Sequence, residues 1–386
     1  MQSYRQVLIA ALLVLFACLG LGRFGFGVVL PNLQENLAIS TTQAGFIGTA
    51  NFIGYLVGIF FVTPAYKNIQ TYKLISMALL LQGFSMLLMT LASHYMLTSL
   101  AYSFSGFFAA IANVSIMIYI AHIIPQHLRG KALGIIITGN GLAIIFSGFF
   151  VPFIEINYTF GSWKISWTVF ALLTIIIAFI VRKGLRQHDN NHGTTKRAKG
   201  VLKEQDFWKI SLLYLIFGIT YVVYITFFVK ASMDKYNLSI ESSGFFWSIL
   251  GITSLISGPL FGNLADKIGA YKTLIIIYFL LTISNILLVL DVPSFMLFAS
   301  ASLFGVAAWS IPSLITLLTS ITFGKEKTAY VFSLITIIFA LGQAIAPVGA
   351  GFIFDLTQNF NMVFLICAAL TAFGMVNAFI FSRDKN

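Results

Sequence analysis

The chain has 386 residues, of which 59% are hydrophobic and only 9% are charged, and its mean hydropathy is +0.93. A soluble fold of this composition would expose far too much apolar surface to water, so the composition excludes a soluble protein and indicates that lipid is the solvent. Both cysteines, Cys18 and Cys367, lie within apolar runs, which excludes a disulfide framework and a cysteine metal cluster.

Apolar stretches of membrane-spanning length follow one another along the chain. A hydrocarbon core of about 30 Å requires roughly 20 apolar residues for each helical crossing. The predicted spans are 7–30, 44–63, 73–92, 96–120, 131–153, 163–181, 208–229, 241–263, 271–290, 294–321, 328–353 and 359–381. We therefore predict an all-α membrane protein of twelve transmembrane helices, with an N-terminal six-helix bundle (1–181), a polar linker (182–206) and a C-terminal six-helix bundle (207–386).

Lysine and arginine are distributed unequally between the two sides of these helices. If both termini are cytoplasmic, all of the 23 Lys and Arg residues except four fall in cytoplasmic segments; the exceptions are Lys164, Lys230 and Lys235 outside and Arg23 within the first span. Cytoplasmic loops carry such an excess of cations. The net charge of +11 therefore requires no nucleic acid, and we predict a multi-pass inner-membrane protein with both termini and the linker in the cytoplasm.

The two halves resemble each other at a spacing of about 200 residues, which is typical of a duplicated six-helix unit. The matched residues are Arg23 with Tyr221, Gly58 with Gly258, Gly106 with Gly305, and Ala132 with Ala329. The alternative is a chance match between apolar helices. Duplication predicts two pseudo-symmetric bundles with a solute site between them near the bilayer midplane, exposed to each side in turn as the bundles rock.

The segment 262–272, Gly-Asn-Leu-Ala-Asp-Lys-Ile-Gly-Ala-Tyr-Lys, lies in the loop between the eighth and ninth spans. A carboxylate at a helix end can accept hydrogen bonds from the exposed N–H groups at the start of a neighbouring helix. The segment resembles the G-x-L-A-D-R-x-G-x-R/K signature of the major facilitator superfamily, whereas Tyr66 stands at the carboxylate position of the matching loop between the second and third spans. The alternative is a generic charged loop.

This resemblance implies a gate at the cytoplasmic side. We predict that Asp266 holds the eighth span against the start of the fifth, near Gly130 and Lys131, when the carrier faces outward. The residues assigned to the gate are Gly262, Asp266, Lys267, Gly269, Lys272 and Arg129.

Further motifs resemble the bacterial YbfB/YjiJ-type carriers of the same superfamily. The first span reads G-L-G-R-F-G-F at 20–26, followed by Leu30-Pro31; the second reads A-N-F-I-G-Y-L-V-G at 50–58; the eleventh reads G-Q-A-I-A-P at 342–347, followed by Gly351 and Asp355. In the fourth span, Tyr102 stands where these carriers commonly have an arginine, so a contact made by that arginine is in doubt. The resemblance implies a secondary transporter without a cofactor, but it implies no substrate.

The chemistry within the predicted spans is that of one cation among aromatic and weakly polar side chains. All twelve acidic residues fall in loops or at helix ends, which disfavours a midplane proton carrier and a cation exporter. Arg23 lies roughly 24 Å along the first helix, slightly outside the midplane. The predicted substrate-binding residues are Arg23, Phe26, Asn51, Tyr55, Asn113, Tyr221, Tyr224, Thr226, Trp309 and Gln343. Snorkelling of Arg23 and helix packing of the others are the alternatives.

These observations predict a monomeric secondary carrier for a small organic anion, such as a monocarboxylate or an amphipathic acid, bound through Arg23. Efflux of neutral or lipophilic compounds is the alternative, since the aromatic content of 15% suits it as well. A membrane enzyme or receptor would need a catalytic cluster or a sizeable extramembrane domain, and the sequence shows neither. No Gly-rich phosphate loop is present, so direct use of ATP is not expected.

Overall fold

The computed structural model describes residues 4–158, 161–185 and 200–383, and within these ranges the chain is helical without any strand. The α-helices are α1 (Arg5–Leu15), α2 (Gly25–Leu37), α3 (Thr41–Asn68), α4 (Thr71–Leu91), α5 (Tyr95–Ile123), α6 (Gln126–Asn157), α7 (Ser162–Leu185), α8 (Gln205–Tyr236), α9 (Ile240–Ile268), α10 (Ala270–Val289), α11 (Met296–Ala308), α12 (Ile311–Phe323), α13 (Lys325–Thr357) and α14 (Asn361–Arg383). A π-helical segment, Phe16–Phe24, joins α1 to α2, and a 3₁₀ turn, Val201–Lys203, precedes α8.

The prediction of twelve membrane helices is confirmed, because the described residues contain twelve helices long and apolar enough to cross a membrane. The first span consists of α1, the π-helical segment and α2, and the tenth consists of α11 and α12. Large apolar side chains such as Phe60, Phe153 and Ile321 are more than half exposed, as contact with lipid requires.

Two of the spans depart from a single regular helix. The first was predicted to end at residue 30 but extends to Leu37, where Ala38 ends it in the left-handed conformation with a φ of 49°. The tenth breaks after Ala308, because Pro312 in the first turn of α12 has no N–H to continue the hydrogen-bond ladder.

The helices form two bundles, α1–α7 and α8–α14, which meet through α2 with α8, α3 with α13, and α6 with α9. An even number of crossings places residues 4, 185, 200 and 383 at the same end of the molecule, which we call the terminal end. The opposite end, where α2 turns into α3 and α13 turns into α14, is called the distal end.

The bundles touch closely toward the distal end and separate toward the terminal end. A Cβ on Gly148 of α6 would lie only 2.6 Å from the Gly244 carbonyl oxygen of α9, and a Cβ on Gly45 of α3 would lie 2.2 Å from the Pro347 carbonyl oxygen of α13. Near the terminal end, a Cβ on Gly134 of α6 or on Gly258 of α9 would meet no described atom within 4 Å. The structure is therefore closed at the distal end and open between the bundles at the terminal end.

Candidate functional site

Arg23 occupies the end of the π-helical segment, inside the first span and next to the interface between the bundles. Its side chain is 9% exposed, and its Cζ lies 4.5 Å from the ring centre of Phe52 and 4.4 Å from that of Tyr55. These rings project from one face of α3 because they are three residues apart. The two π faces partly compensate the guanidinium for its lost hydration.

Two donor atoms of Arg23 remain without a partner. The Nε and Nη2 atoms are buried, and neither has a hydrogen-bond acceptor among the described residues. Their N–H bonds point in the same direction from one edge of the planar guanidinium, which is the fork that matches the two oxygens of a carboxylate. A buried donor that lacks an acceptor is costly, so this edge is suited to an acceptor that arrives with a ligand.

A hydrogen bond fixes the aromatic side of this site. Asn113 Nδ2 on α5 donates to the Tyr55 hydroxyl oxygen at 2.7 Å. Both side chains are only half-buried. The structure thus brings three of the predicted site residues, Arg23, Tyr55 and Asn113, together in the first bundle.

Aromatic side chains of the second bundle reach the same region through Phe24. Its ring centre lies 6.4 Å from that of Tyr221 on α8 and 5.8 Å from that of Trp309, at the break between α11 and α12. Tyr221 and Trp309 also contact each other, with ring centres 6.1 Å apart. The residue next to Arg23 therefore contacts two predicted site residues of the opposite bundle.

Other predicted substrate-binding residues make packing contacts instead. Asn51 donates its amide to the Tyr102 carbonyl oxygen at 3.1 Å, and Phe26 stacks on the Tyr102 ring. Tyr224 stacks on Phe304 within the second bundle and shares a 2.8 Å hydrogen bond with Ser300. Their role in substrate binding remains a prediction.

Two further predicted residues, Thr226 on α8 and Gln343 on α13, are 3% and 2% exposed. Sequence reasoning did not assign Phe24 or Phe52 to the site. The only signal for Phe52 was its helical spacing from Tyr55, which also describes ordinary packing.

The predicted gate lies at the open, terminal end. Asp266, Lys267 and Lys272 are exposed around the turn at Gly269, whose φ is +88°. Asp266 has no hydrogen bond or ion pair with the described residues, and a Cβ on Gly262 would meet none of their atoms within 4 Å. The side chain of Arg129 lies outside the described part of the chain. The gate therefore remains a prediction, with its helix ends apart in this structure.

Comparison with known proteins relates the chain to membrane transporters. Residues 15–378 match the family model described as "Uncharacterised MFS-type transporter YbfB". The chain is 26% identical to the putative transporter YgaY of Escherichia coli K12 over 159 residues, which is 41% of this chain and 39% of YgaY, well under two thirds of that relative. It is 23% identical to the probable transporter MCH2 of Saccharomyces cerevisiae over 366 residues, 89% of this chain and 74% of MCH2.

Solved transporters share the fold. The nucleoside transporter NupG superposes with a TM-score of 0.79 at 13% identity, covering 99% of both chains. A bacterial homologue of the human lysosomal transporter Spinster, in an inward-facing and occupied conformation, superposes with a TM-score of 0.77 at 15% identity, covering 99% of this chain and 97% of that one. At these identities the likeness concerns the fold alone.

Proposed function

Because the chain belongs to the family of YbfB-type major facilitator transporters, we propose that it is a secondary carrier that moves a small organic anion across the inner membrane by alternating access. The observation that carries this proposal is the unpartnered edge of Arg23. That edge has two buried donors, and the described residues supply no acceptor for them.

A carboxylate is the ligand class that satisfies this edge best. Paired N–H donors of a guanidinium bind a carboxylate through two parallel, charge-assisted hydrogen bonds, and the bound anion also neutralises a charge that is costly within the membrane. The rings of Tyr221 and Trp309 supply apolar contact for the rest of the molecule. An aromatic or otherwise amphipathic monocarboxylate therefore suits the site.

Thermal unfolding of the purified protein tests the charge requirement with three probes of similar shape: benzoate, benzamide and benzylammonium. A ligand that binds the folded state raises the apparent Tm by an amount that grows with the logarithm of the ratio of its concentration to its Kd. We expect benzoate to raise the Tm, and the amide and the cation to leave it unchanged. Equal shifts with benzoate and benzamide would contradict an anion site.

The aromatic contacts around Phe24 support a second candidate, the export of neutral or lipophilic compounds. Phe24, Tyr221, Trp309 and Phe304 form one group whose ring centres lie within 6.4 Å of their neighbours. A cluster of aromatic rings offers an apolar ligand contacts that require no charge on the ligand. Stabilisation by benzamide alone would favour this candidate.

We also propose that the terminal end lies in the cytoplasm, on the basis of the cation distribution. Leu202 is 58% exposed at this end, whereas both native cysteines are buried. A cysteine introduced at residue 202 should react with a membrane-impermeant maleimide only after the cells are opened. Labelling in intact cells would contradict this orientation.

A further inference from the structure

Asp355, near the distal end of α13, binds the first turn of α3 across the bundle interface. Its Oδ1 accepts the Thr41 N–H at 3.1 Å, and its Oδ2 accepts the Thr42 N–H at 2.9 Å and the Thr42 hydroxyl at 2.5 Å. The carboxylate is half-buried between helices that belong to different bundles.

These contacts complete the cap of α3. Within its own bundle, the Ser40 hydroxyl accepts the Gln43 N–H, and the Gln43 side chain accepts the Ser40 N–H. This capping box leaves the N–H groups of Thr41 and Thr42 without an acceptor in their own bundle. Because the N-terminus of a helix carries a partial positive charge, a carboxylate is a favourable acceptor for them. Asp355 supplies the missing acceptors, so the N-terminus of α3 is fully capped only while the distal end is closed.

The backbone is shaped for this contact. Gly351 lies one turn before Asp355, and a Cβ there would be 2.3 Å from the Thr41 carbonyl oxygen. The lack of a side chain at Gly351 therefore allows α13 to approach α3 closely enough for the carboxylate to reach the helix end.

The equivalent interbundle pair, α6 with α9, lacks this cap. Glu155 stands two residues before the end of α6, as Asp355 stands two residues before the end of α13. Yet Glu155 Oε2 is buried without a hydrogen-bond partner among the described residues, and the first turn of α9 contains an acid, Glu241. A carboxylate that caps a helix of the opposite bundle thus occurs at only one of the two equivalent places.

We infer that Asp355 is a gating residue of the transport cycle, which holds the distal end closed and must release α3 before that end opens. The inference rests on the alternating access proposed above. It does not depend on the nature of the substrate, because Asp355 lies at the distal helix ends and Arg23 lies in the first span. Loss of the carboxylate should therefore shift the conformational equilibrium toward a distal-open state.

Spin-label distances in the ligand-free protein test this inference. Tyr158 and Phe295 are exposed at the distal ends of the first and second bundles, and Lys73 and Ile321 are exposed toward the terminal end. Since the native Cys18 and Cys367 are buried, cysteines introduced at residues 158, 295, 73 and 321 can be labelled selectively. Asp355→Ala should raise the ratio of distal-open to distal-closed molecules about tenfold, the size expected for loss of a helix cap.

Rocking and local fraying give different results in this experiment. If the bundles rock, the 158–295 distance lengthens while the 73–321 distance shortens. Unchanged distances, or lengthening of the distal pair alone, would overturn the assignment of Asp355 as a gating residue. Because no ligand is present, failure of the anion proposal would leave these distances unaffected.

Three further variants control for folding and for charge. Asp355→Asn keeps the shape and one acceptor, so it should produce a smaller shift in the same direction. Thr42→Val removes only the hydroxyl donor, and added to Asp355→Ala it should cause no further opening. Asp291→Ala removes an acid at the same end that is 97% exposed and pairs with Lys235 in its own bundle. Opening by Asp291→Ala equal to that of Asp355→Ala would also overturn the inference.

Discussion

At the scale of single residues, the chemistry depends on how one guanidinium is held. The ring centres of Phe52 and Tyr55 lie 4.5 and 4.4 Å from its Cζ, while the Nε and Nη2 edge stays without an acceptor among the described residues. A lysine at this position would keep the charge but present no planar pair of donors. A positive charge at residue 23 is therefore not sufficient for carboxylate binding, which also needs the paired donors of the guanidinium.

Arg23→Lys should weaken benzoate binding about tenfold, because loss of one charge-assisted hydrogen bond costs about 1.5 kcal/mol. Arg23→Ala should nearly abolish it. Arg383→Lys is the matched control, since Arg383 also lies over a ring, that of Phe379, but is exposed at the terminal end. Titration of benzoate by the shift in Tm measures all three. Wild-type affinity in both Arg23 variants would make Arg23 structural.

The sequence predicts Arg23, Tyr55 and Asn113 as site residues, because polar side chains are rare within membrane spans and need partners there. It does not separate them from Asn51, whose amide caps a carbonyl oxygen of α5. Both asparagines have the same sequence signature. The position of each asparagine in the folded bundle decides whether its amide binds a backbone carbonyl, as in Asn51, or the hydroxyl of a predicted site residue, as in Asn113.

At the scale of helices, the π-helical segment carries Arg23 in its last turn. One hydrogen bond supports it: Gln82 on α4, fully buried, donates its Nε2 to the Cys18 carbonyl oxygen at 2.9 Å. The wider π turn weakens the regular ladder, so carbonyl groups need partners from other helices. Gly22 permits the approach, because a Cβ there would lie 2.2 Å from Gln82 Nε2.

Gln82→Leu should lower stability by about 0.5–1.5 kcal/mol, since it removes a buried hydrogen bond to the Cys18 carbonyl oxygen. It should also weaken benzoate binding, because Arg23 lies in the same segment. Ser76→Ala is the control: Ser76 also donates to a buried carbonyl, that of Ala178, at 2.9 Å, but outside the π-helical segment. Thermal unfolding with and without benzoate measures both effects. Equal affinity in the two variants would separate Gln82 from the site.

The π-helical segment was not predicted, although the first span was. Hydropathy shows only that 7–30 is apolar, and the residue that stabilises the wider turn, Gln82, comes from another helix. Helix boundaries and irregular turns of this kind depend on tertiary contacts, which a single sequence does not display.

The same close helix contact occurs within each of the two bundles, at a pair of glycines that the sequence comparison of the halves had matched. A Cβ on Gly106 of α5 would lie 2.0 Å from the Asn51 carbonyl oxygen of α3, and a Cβ on Gly305 of α11 would lie 2.4 Å from the Leu250 carbonyl oxygen of α9. The sequence match of Gly106 with Gly305 therefore corresponds to equivalent contacts. Gly258, by contrast, meets no described atom, so a matched position does not ensure a matched contact.

Gly106→Ala should destabilise the first bundle by about 1–3 kcal/mol, because the helices must separate to admit the methyl group. Gly349→Ala is the control, as a Cβ there would meet no described atom within 4 Å. It should be neutral or stabilising by about 0.5–1 kcal/mol through higher helix propensity. Thermal unfolding compares them. A neutral Gly106→Ala would show that α3 and α5 adjust without cost.

At the scale of the whole molecule, the sequence predicts the twelve spans and the paired bundles, because hydropathy and duplication are properties of composition and order. It does not predict which end is closed. That asymmetry arises from contacts between residues of different bundles, such as Gly148 with Gly244 and Asp355 with Thr42. The motif at 262–272 is the stronger signal in the sequence, yet of the two acids Asp266 and Asp355 only Asp355 hydrogen-bonds to the opposite bundle in this structure.

Asp266 and Asp355 lie at opposite ends of the second bundle, so we expect them to favour opposite states. Asp266 is exposed and makes no hydrogen bond or ion pair with the described residues, so Asp266→Asn should leave the distal-closed state intact and remove stabilisation only when the terminal end closes. Its spin-label distances should shift further toward the distal-closed state, and transport at equal membrane abundance should fall.

Combining Asp266→Asn with Asp355→Ala should bring the distances back toward the wild-type distribution, because each substitution removes stabilisation from a different state. Transport need not recover, since both gates would then close weakly. If Asp266→Asn leaves both distance distributions and the transport rate unchanged, alone and with Asp355→Ala, Asp266 is an ordinary loop residue and closure of the terminal end depends on other contacts between α6 and α9.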